Sequence, residues 1–196
     1  MSVLSDIFRD NKFRPEDLPG FESKLFYEGV RQRPYLVKFF VLSFLSTVIA
    51  AYGVLNDSTA TVIGAMIVAP LMTPIMATAA ALVMGAMDRS IKSLLLVGAG
   101  MALVIALSWL IGVSFSGVIS FSQNTQIVGR ITPRTTDLMI ALASGAAGAF
   151  AFSRDDIADS LPGVAIAISL VPPLCVVGIS LSQSQWTAAG GRCFFT

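Results

Sequence analysis

The stretch "GAMIVAPLMTPIM", residues 64–76, decides how this chain is read. It sits in an apolar segment running from about Thr59 to Met84. A helix needs roughly 17–25 apolar residues to cross a bilayer, so the segment is long enough. Yet Pro70 and Pro74 stand four residues apart near its middle. Proline has no N–H, and its ring crowds the carbonyl four residues back. In lipid the carbonyls so released need partners from protein or water. The segment is therefore either a kinked, packed helix or a helix opened toward polar surroundings.

The rest of the chain places that segment in a membrane. Of 196 residues, 55% are apolar and 13% charged, where soluble domains carry about a quarter charged residues. No charge falls between Lys38 and Asp57, Asp57 and Asp88, Lys92 and Arg130, or Asp137 and Arg154. A soluble protein with several buried helices would not hold so many charge-free runs. The expected fold is an all-α, polytopic transmembrane helical bundle of about five spans: 36–55, 59–84, 93–113, 137–152 and 161–181. Residues 1–35 read as a polar cytoplasmic segment without a signal peptide, and 183–196 as an atypical or truncated tail. Lys and Arg concentrate on one side of this arrangement, leaving Arg130, Arg134 and Arg192 on the other. That asymmetry predicts a cytoplasmic N-terminus in the cell membrane. The net charge of +1 suggests no nucleic-acid partner.

A shift of 99 positions lays Asp57 on Asp156, Gly64 on Gly163, Ile67 on Ile166, Leu71 on Leu170, Pro74 on Pro173 and Leu82 on Leu181. "GAMIVAPLMTPI" and "GVAIAISLVPPL" thus read as two copies of one element. A repeat of three spans has an odd number of crossings, so the second copy would enter from the opposite side. Inverted repeats with interrupted second helices are common in secondary transporters, where matched interruptions mark the binding region. The pathway candidates are Pro70, Thr73, Pro74, Ser169, Pro172 and Pro173. The prolines would open the backbone and the hydroxyls would line the route. In the alternative the prolines only kink packed helices.

The stretches "VIGAMIVAPLMTPI", "LMIALASGAAGAFAF" and "LPGVAIAISLVPPL" resemble the signature segments of the domain-of-unknown-function family 389, in matching order and spacing from about Lys38 to Leu181. The resemblance implies an uncharacterised integral membrane protein of bacteria or archaea, without assigned substrate or catalytic residues. Similar proteins continue past "WTAAGG" into another apolar helix, whereas here "RCFFT" follows and the last helix appears cut short.

No enzyme constellation is legible. There is no histidine, the usual acid–base residue. No phosphate loop, dinucleotide fingerprint, cofactor motif or metal-ligand cluster appears, and Cys175 and Cys193 form no metal or disulfide pattern. Asp57 and Asp137 fall at span ends, which disfavours a buried-charge proton relay. The available ligands are neutral: backbone carbonyls, Thr73, Thr78, Ser169 and the sulfurs of Met66, Met72 and Met76, the methionines reading first as packing. These suit a small ion, a weakly polar solute or water. Ala141, Gly145 and Ala149 recur every fourth residue, a spacing that lets helices approach closely. Five spans make a thin bundle, so a homo-oligomer in the lipid bilayer is expected. The competing function is a structural or regulatory membrane module without transport.

Overall fold

The computed structural model describes residues 32–115, 124–131, 135–152 and 169–189. The expected N-terminal segment up to residue 31, the charged 153–160 loop, the start of the fifth span (161–168) and the end of the tail lie outside them. All secondary structure among the described residues is helical: α1 (Gln32–Leu55), α2 (Thr59–Val68), α3 (Met72–Val83), α4 (Met87–Ser114), α5 (Thr125–Ile131), α6 (Thr135–Phe152) and α7 (Val171–Ala189).

Helices α1 and α4 are each long and apolar enough to cross a membrane. Helices α2 and α3 meet that standard only together, bent by 53° at their junction, and α6 and α7 are shorter apolar helices. Among the described residues, two of the five expected spans are thus long enough alone, one is the bent pair, and the fourth and the described part of the fifth are shorter apolar helices. The outer surface is apolar: Val37, Leu45, Leu95, Leu110, Leu142 and Val83 all lie exposed, Val83 at 90%. Such a surface is compatible with membrane insertion and would aggregate in water.

Local chemistry sets the helix ends. After α1 the chain turns through Asn56–Ser58, with Asp57 at φ 51, a left-handed conformation that Asp tolerates better than most residues. Ser58 then caps α2, its hydroxyl accepting from the Thr61 N–H at 3.4 Å. Helix α3 ends in a Schellman turn: Ala86 N–H donates to the Ala81 carbonyl and Gly85 N–H to that of Leu82. Gly85 sits at φ +71, where a side chain would be strained. Asp88 falls in the first turn of α4, where a carboxylate suits the helix dipole.

Packing contacts give the directions. Phe39 of α1 lies against Gly100 of α4, and Tyr52 stacks edge-on with Phe115. Residue numbers rise together, so α1 and α4 run parallel. Gly178 of α7 faces Ile105 and Ser108, and Gly112 faces Ile179 and Ser182, so α7 also runs parallel to α4. Leu71 touches Gly100 while Thr78 lies by Ser90, so α3 runs the other way.

The α4–α7 contact is the closest in the bundle. It pairs Ser108-x-x-x-Gly112 with Gly178-x-x-x-Ser182, small residues one turn apart on each helix. A Cβ on Gly178 would stand 2.6 Å from the Ile105 carbonyl oxygen, so the backbones are already at contact distance. Ser108 donates to the Val104 carbonyl (2.5 Å) and Ser182 to that of Ile179 (2.6 Å). Each hydroxyl is satisfied by its own helix, which keeps the surface small.

This packing predicts an asymmetric glycine scan. Gly178→Ala should lower stability in detergent by about 1–3 kcal/mol, because the overpacked backbone must shift. Gly98→Ala, with nothing within 4 Å of the added carbon, should leave the thermal midpoint unchanged or raise it.

Candidate functional site

The prolines of the bent pair mark helix boundaries. Ala69 precedes Pro70 and adopts an extended conformation (φ −65, ψ 125), which ends α2 at Val68. Leu71 then opens α3 as its first cap, and Pro74 falls in the first turn. There its missing N–H would have had no partner within the helix. The second copy does the same. Leu170 precedes α7, and Pro172 and Pro173 fall in its first turn. The first intrahelical bonds coincide under the 99-residue shift: Ile75 N–H donates to the Leu71 carbonyl (3.3 Å), and Leu174 N–H to that of Leu170 (3.1 Å). In both places prolines lie in the first turn of a helix. The half of the second copy before Ser169 lies outside the described residues.

Both starts lie at mid-height. Leu71 meets Gly100, near the centre of the 28-residue α4. On α7, Cys175 Sγ lies 4.0 Å from the Thr47 carbonyl in the middle of α1. Val171 and Leu71 share one buried cluster with Phe39, Ala50, Ala65, Val104 and Cys175. Since α3 runs against α4 and α7 runs with it, the two starts share a level and lead in opposite directions.

Between them lies a cavity of about 10 Å³, lined by Met66, Ala69, Leu71, Met72 and Ile75 on one side and Ser169 and Leu170 on the other. That is room for about one water. The Ser169 Oγ is buried there with no hydrogen-bond partner from the protein. An unpaired buried hydroxyl costs about 1–3 kcal/mol, which a water or polar solute would relieve. Pro70 and Pro74 have no N–H to offer the carbonyls of Met66 and Pro70, so acceptors are in excess at the junction. A second hydroxyl, Ser43 Oγ on the buried face of α1, is likewise unpartnered.

Of the expected pathway residues, Ser169 reaches the cavity. Pro70, Thr73, Pro74, Pro172 and Pro173 shape its ends without lining it. Pro74 and Pro172 are buried, Pro70 and Thr73 half-buried. Two of the methionines read first as packing, Met66 and Met72, form its wall. Thr78 donates to the Pro74 carbonyl (2.8 Å) and so helps hold the α3 start. On α6, Ala141, Gly145 and Ala149 lie exposed, and Ser144 and Gly148 of the adjacent face are buried.

Sequence reading passed over a polar cluster that surrounds α5. Asn124 caps this helix, its Oδ1 accepting from the Ile127 N–H (3.1 Å), while its Nδ2 donates to the Val54 carbonyl (2.6 Å). Asp57 Oδ1 accepts from the Thr125 hydroxyl (2.7 Å) and the Gln126 N–H (3.1 Å). Gln126 Nε2 donates to Thr59 (2.7 Å), and Arg130 donates to the Gln126 side chain (2.9 Å). The only signal was Asn-Thr-Gln before a short apolar run, a cap pattern inside an apparent loop. Partners nearly seventy residues apart leave no local trace.

The chain belongs to the family described as "Domain of unknown function (DUF389)", whose model matches residues 66–196. It is 36% identical over 135 residues to the uncharacterized protein MJ0678 of Methanocaldococcus jannaschii. That match covers 69% of this chain and 41% of the relative, so the chain spans about two fifths of that protein's length. No solved structure matches.

The Thr125 hydroxyl, with the Gln126 N–H, holds the Asp57 carboxyl below its ordinary value. A depressed carboxylate favours the bonded form above the ordinary pKa and loses that preference as pH falls through the lowered one. Asp57 observed by carbon NMR should titrate lower than a free aspartate. Thr125→Ala should return it toward the ordinary value.

Proposed function

We propose that this chain is the core of an integral membrane protein that passes a small ion, a water-sized solute or water between its two Pro-started helices. The carrying observation is the mid-height meeting of two sequence-related helix starts, leading opposite ways, around a cavity with an unpaired serine hydroxyl. Their opposite directions support an inverted repeat, with α1–α4 as the first unit and α6–α7 as part of the second. In that reading the Pro70 junction interrupts one transmembrane span. Ser169 would bind, with carbonyls near Pro70 as further acceptors, Met66 and Met72 as the apolar wall, and Pro70, Thr73, Pro74, Pro172 and Pro173 as the frame. An excess of acceptors over N–H donors favours a cation or a hydrogen-bond donor over an anion. The role is non-catalytic, with the N-terminus cytoplasmic and the Asn56–Ser58 turn outside. A homo-oligomer would shield the thin bundle, and the exposed face of α6 with Ala141, Gly145 and Ala149 suits close contact between copies or with further helices of a longer chain.

A structural or regulatory membrane module is the competing reading. It draws on the cavity's size and its mostly apolar wall.

Transport predicts that Pro74→Ala and Pro173→Ala each abolish flux in proteoliposomes while insertion and assembly persist. Cysteines placed at Thr73 and Ser169, with Cys175 and Cys193 replaced, should react with water-soluble thiol reagents. Unchanged flux in both proline variants, or two unreactive cysteines, would count for the structural module.

A further inference from the structure

Helix α5 is seven residues long, yet it carries one of the most deeply buried side chains in the molecule. Ile127 is 1% exposed and packs among Val54 of α1, Val62 of α2, and Val176 and Ile179 of α7. Met66 packs against this cluster and also forms part of the cavity wall. Val176 and Ile179 stand five and eight residues beyond Val171, which places them roughly 7–12 Å along α7 from its start. Ile127 therefore sits between the cavity and the end of the bundle that carries the Asn56–Ser58 turn.

The attachment of α5 differs in kind from the α4–α7 contact. Its polar bonds converge on one turn and the residues beside it: Asp57 holds Thr125 and Gln126, Thr59 holds Gln126, and the Val54 carbonyl holds Asn124. Asp57 and Thr125 are solvent-exposed, so water competes for the latch. An apolar side chain inserted into a cleft and tied by a few polar bonds, the Thr125–Asp57 bond exposed and the Asn124–Val54 bond buried, can withdraw without dismantling the glycine-packed core. The residues fit a removable stopper better than a framework element.

We propose that α5 is a plug that closes the mid-height cavity toward the Asn56–Ser58 face, with Ile127 as its stopper and Asp57 as its latch. The proposal rests on reading the cavity as part of a water-accessible route. It concerns access from one side, whatever passes.

The test is sided cysteine labelling of the full chain in proteoliposomes. Ser169→Cys is placed in a chain with Cys175→Ala and Cys193→Ala, and a membrane-impermeant thiol reagent is applied from each side. Asp57→Asn removes the charge of the latch with little change of shape, and Ile127→Ala shortens the stopper. Losing a charge-assisted hydrogen bond shifts an opening equilibrium about tenfold. Asp57→Asn should therefore speed labelling from the Asn56–Ser58 side about tenfold, Ile127→Ala should speed it as well, and both should leave the opposite side unchanged. No increase from that side in either variant overturns the plug, whether or not the unmodified site reacts. Flux separates this outcome from the fate of the transport reading. Faster labelling without flux of any tested ion retains the plug and removes transport. Flux that persists, with labelling unmoved by either variant, removes the plug and retains transport.

Discussion

The approach of α4 to α7 through Ser108, Gly112, Gly178 and Ser182 is the contact on which the remaining geometry depends. Apolar helices in lipid gain little from the hydrophobic effect on meeting each other, so close backbone packing must supply the attraction. Small residues at four-residue spacing allow it, and they also set register. Gly178 can sit only where Ser108 and Ile105 leave room, and this holds the start of α7 at the height of Gly100. Were α7 to slide by one turn, its proline-bearing start would leave the level of Leu71 and the shared cavity would be lost.

From that register follows the treatment of polar groups. Most of the buried hydroxyls bond back to their own helix, as in Thr47 to the Ser43 carbonyl at 2.6 Å and Ser144 to that of Ile140 at 2.6 Å. This is the economical arrangement where water is absent. Ser169, two residues ahead of α7, departs from it: like that of Ser43, its hydroxyl has no partner from the protein. At the Asn56–Ser58 end the polar groups bridge elements far apart in sequence, and the apolar Ile127 fills the space beneath.

Much of this was legible in the residues. The charge-free runs marked α1, the α2–α3 pair and α4, and Pro70 and Pro74 located the junction to within a residue or two. The 99-residue shift picked out two helix starts whose first intrahelical bonds coincide. The small-residue signal was read on α6, in Ala141, Gly145 and Ala149, while the tightest contact formed on α4 and α7. Both stripes have the same spacing, and spacing alone does not say which faces meet. Met66 and Met72 read as packing because methionine at helical intervals usually packs, and their place in a cavity wall depends on what stands opposite.

The sequence by itself determined which segments are apolar helices and where proline forces them to begin or end, because hydropathy and a missing N–H act within a few residues of their source. Membership of the DUF389 family was likewise legible in its signature stretches. Tertiary structure alone decided that the two proline-bearing starts lie at one height, that Ser169 has no partner, and that Ile127 of an apparent loop enters the bundle. Each of these depends on the relative placement of residues about 50 to 100 positions apart. That placement is set by steric fit between whole helix faces, for which no local pattern stands proxy.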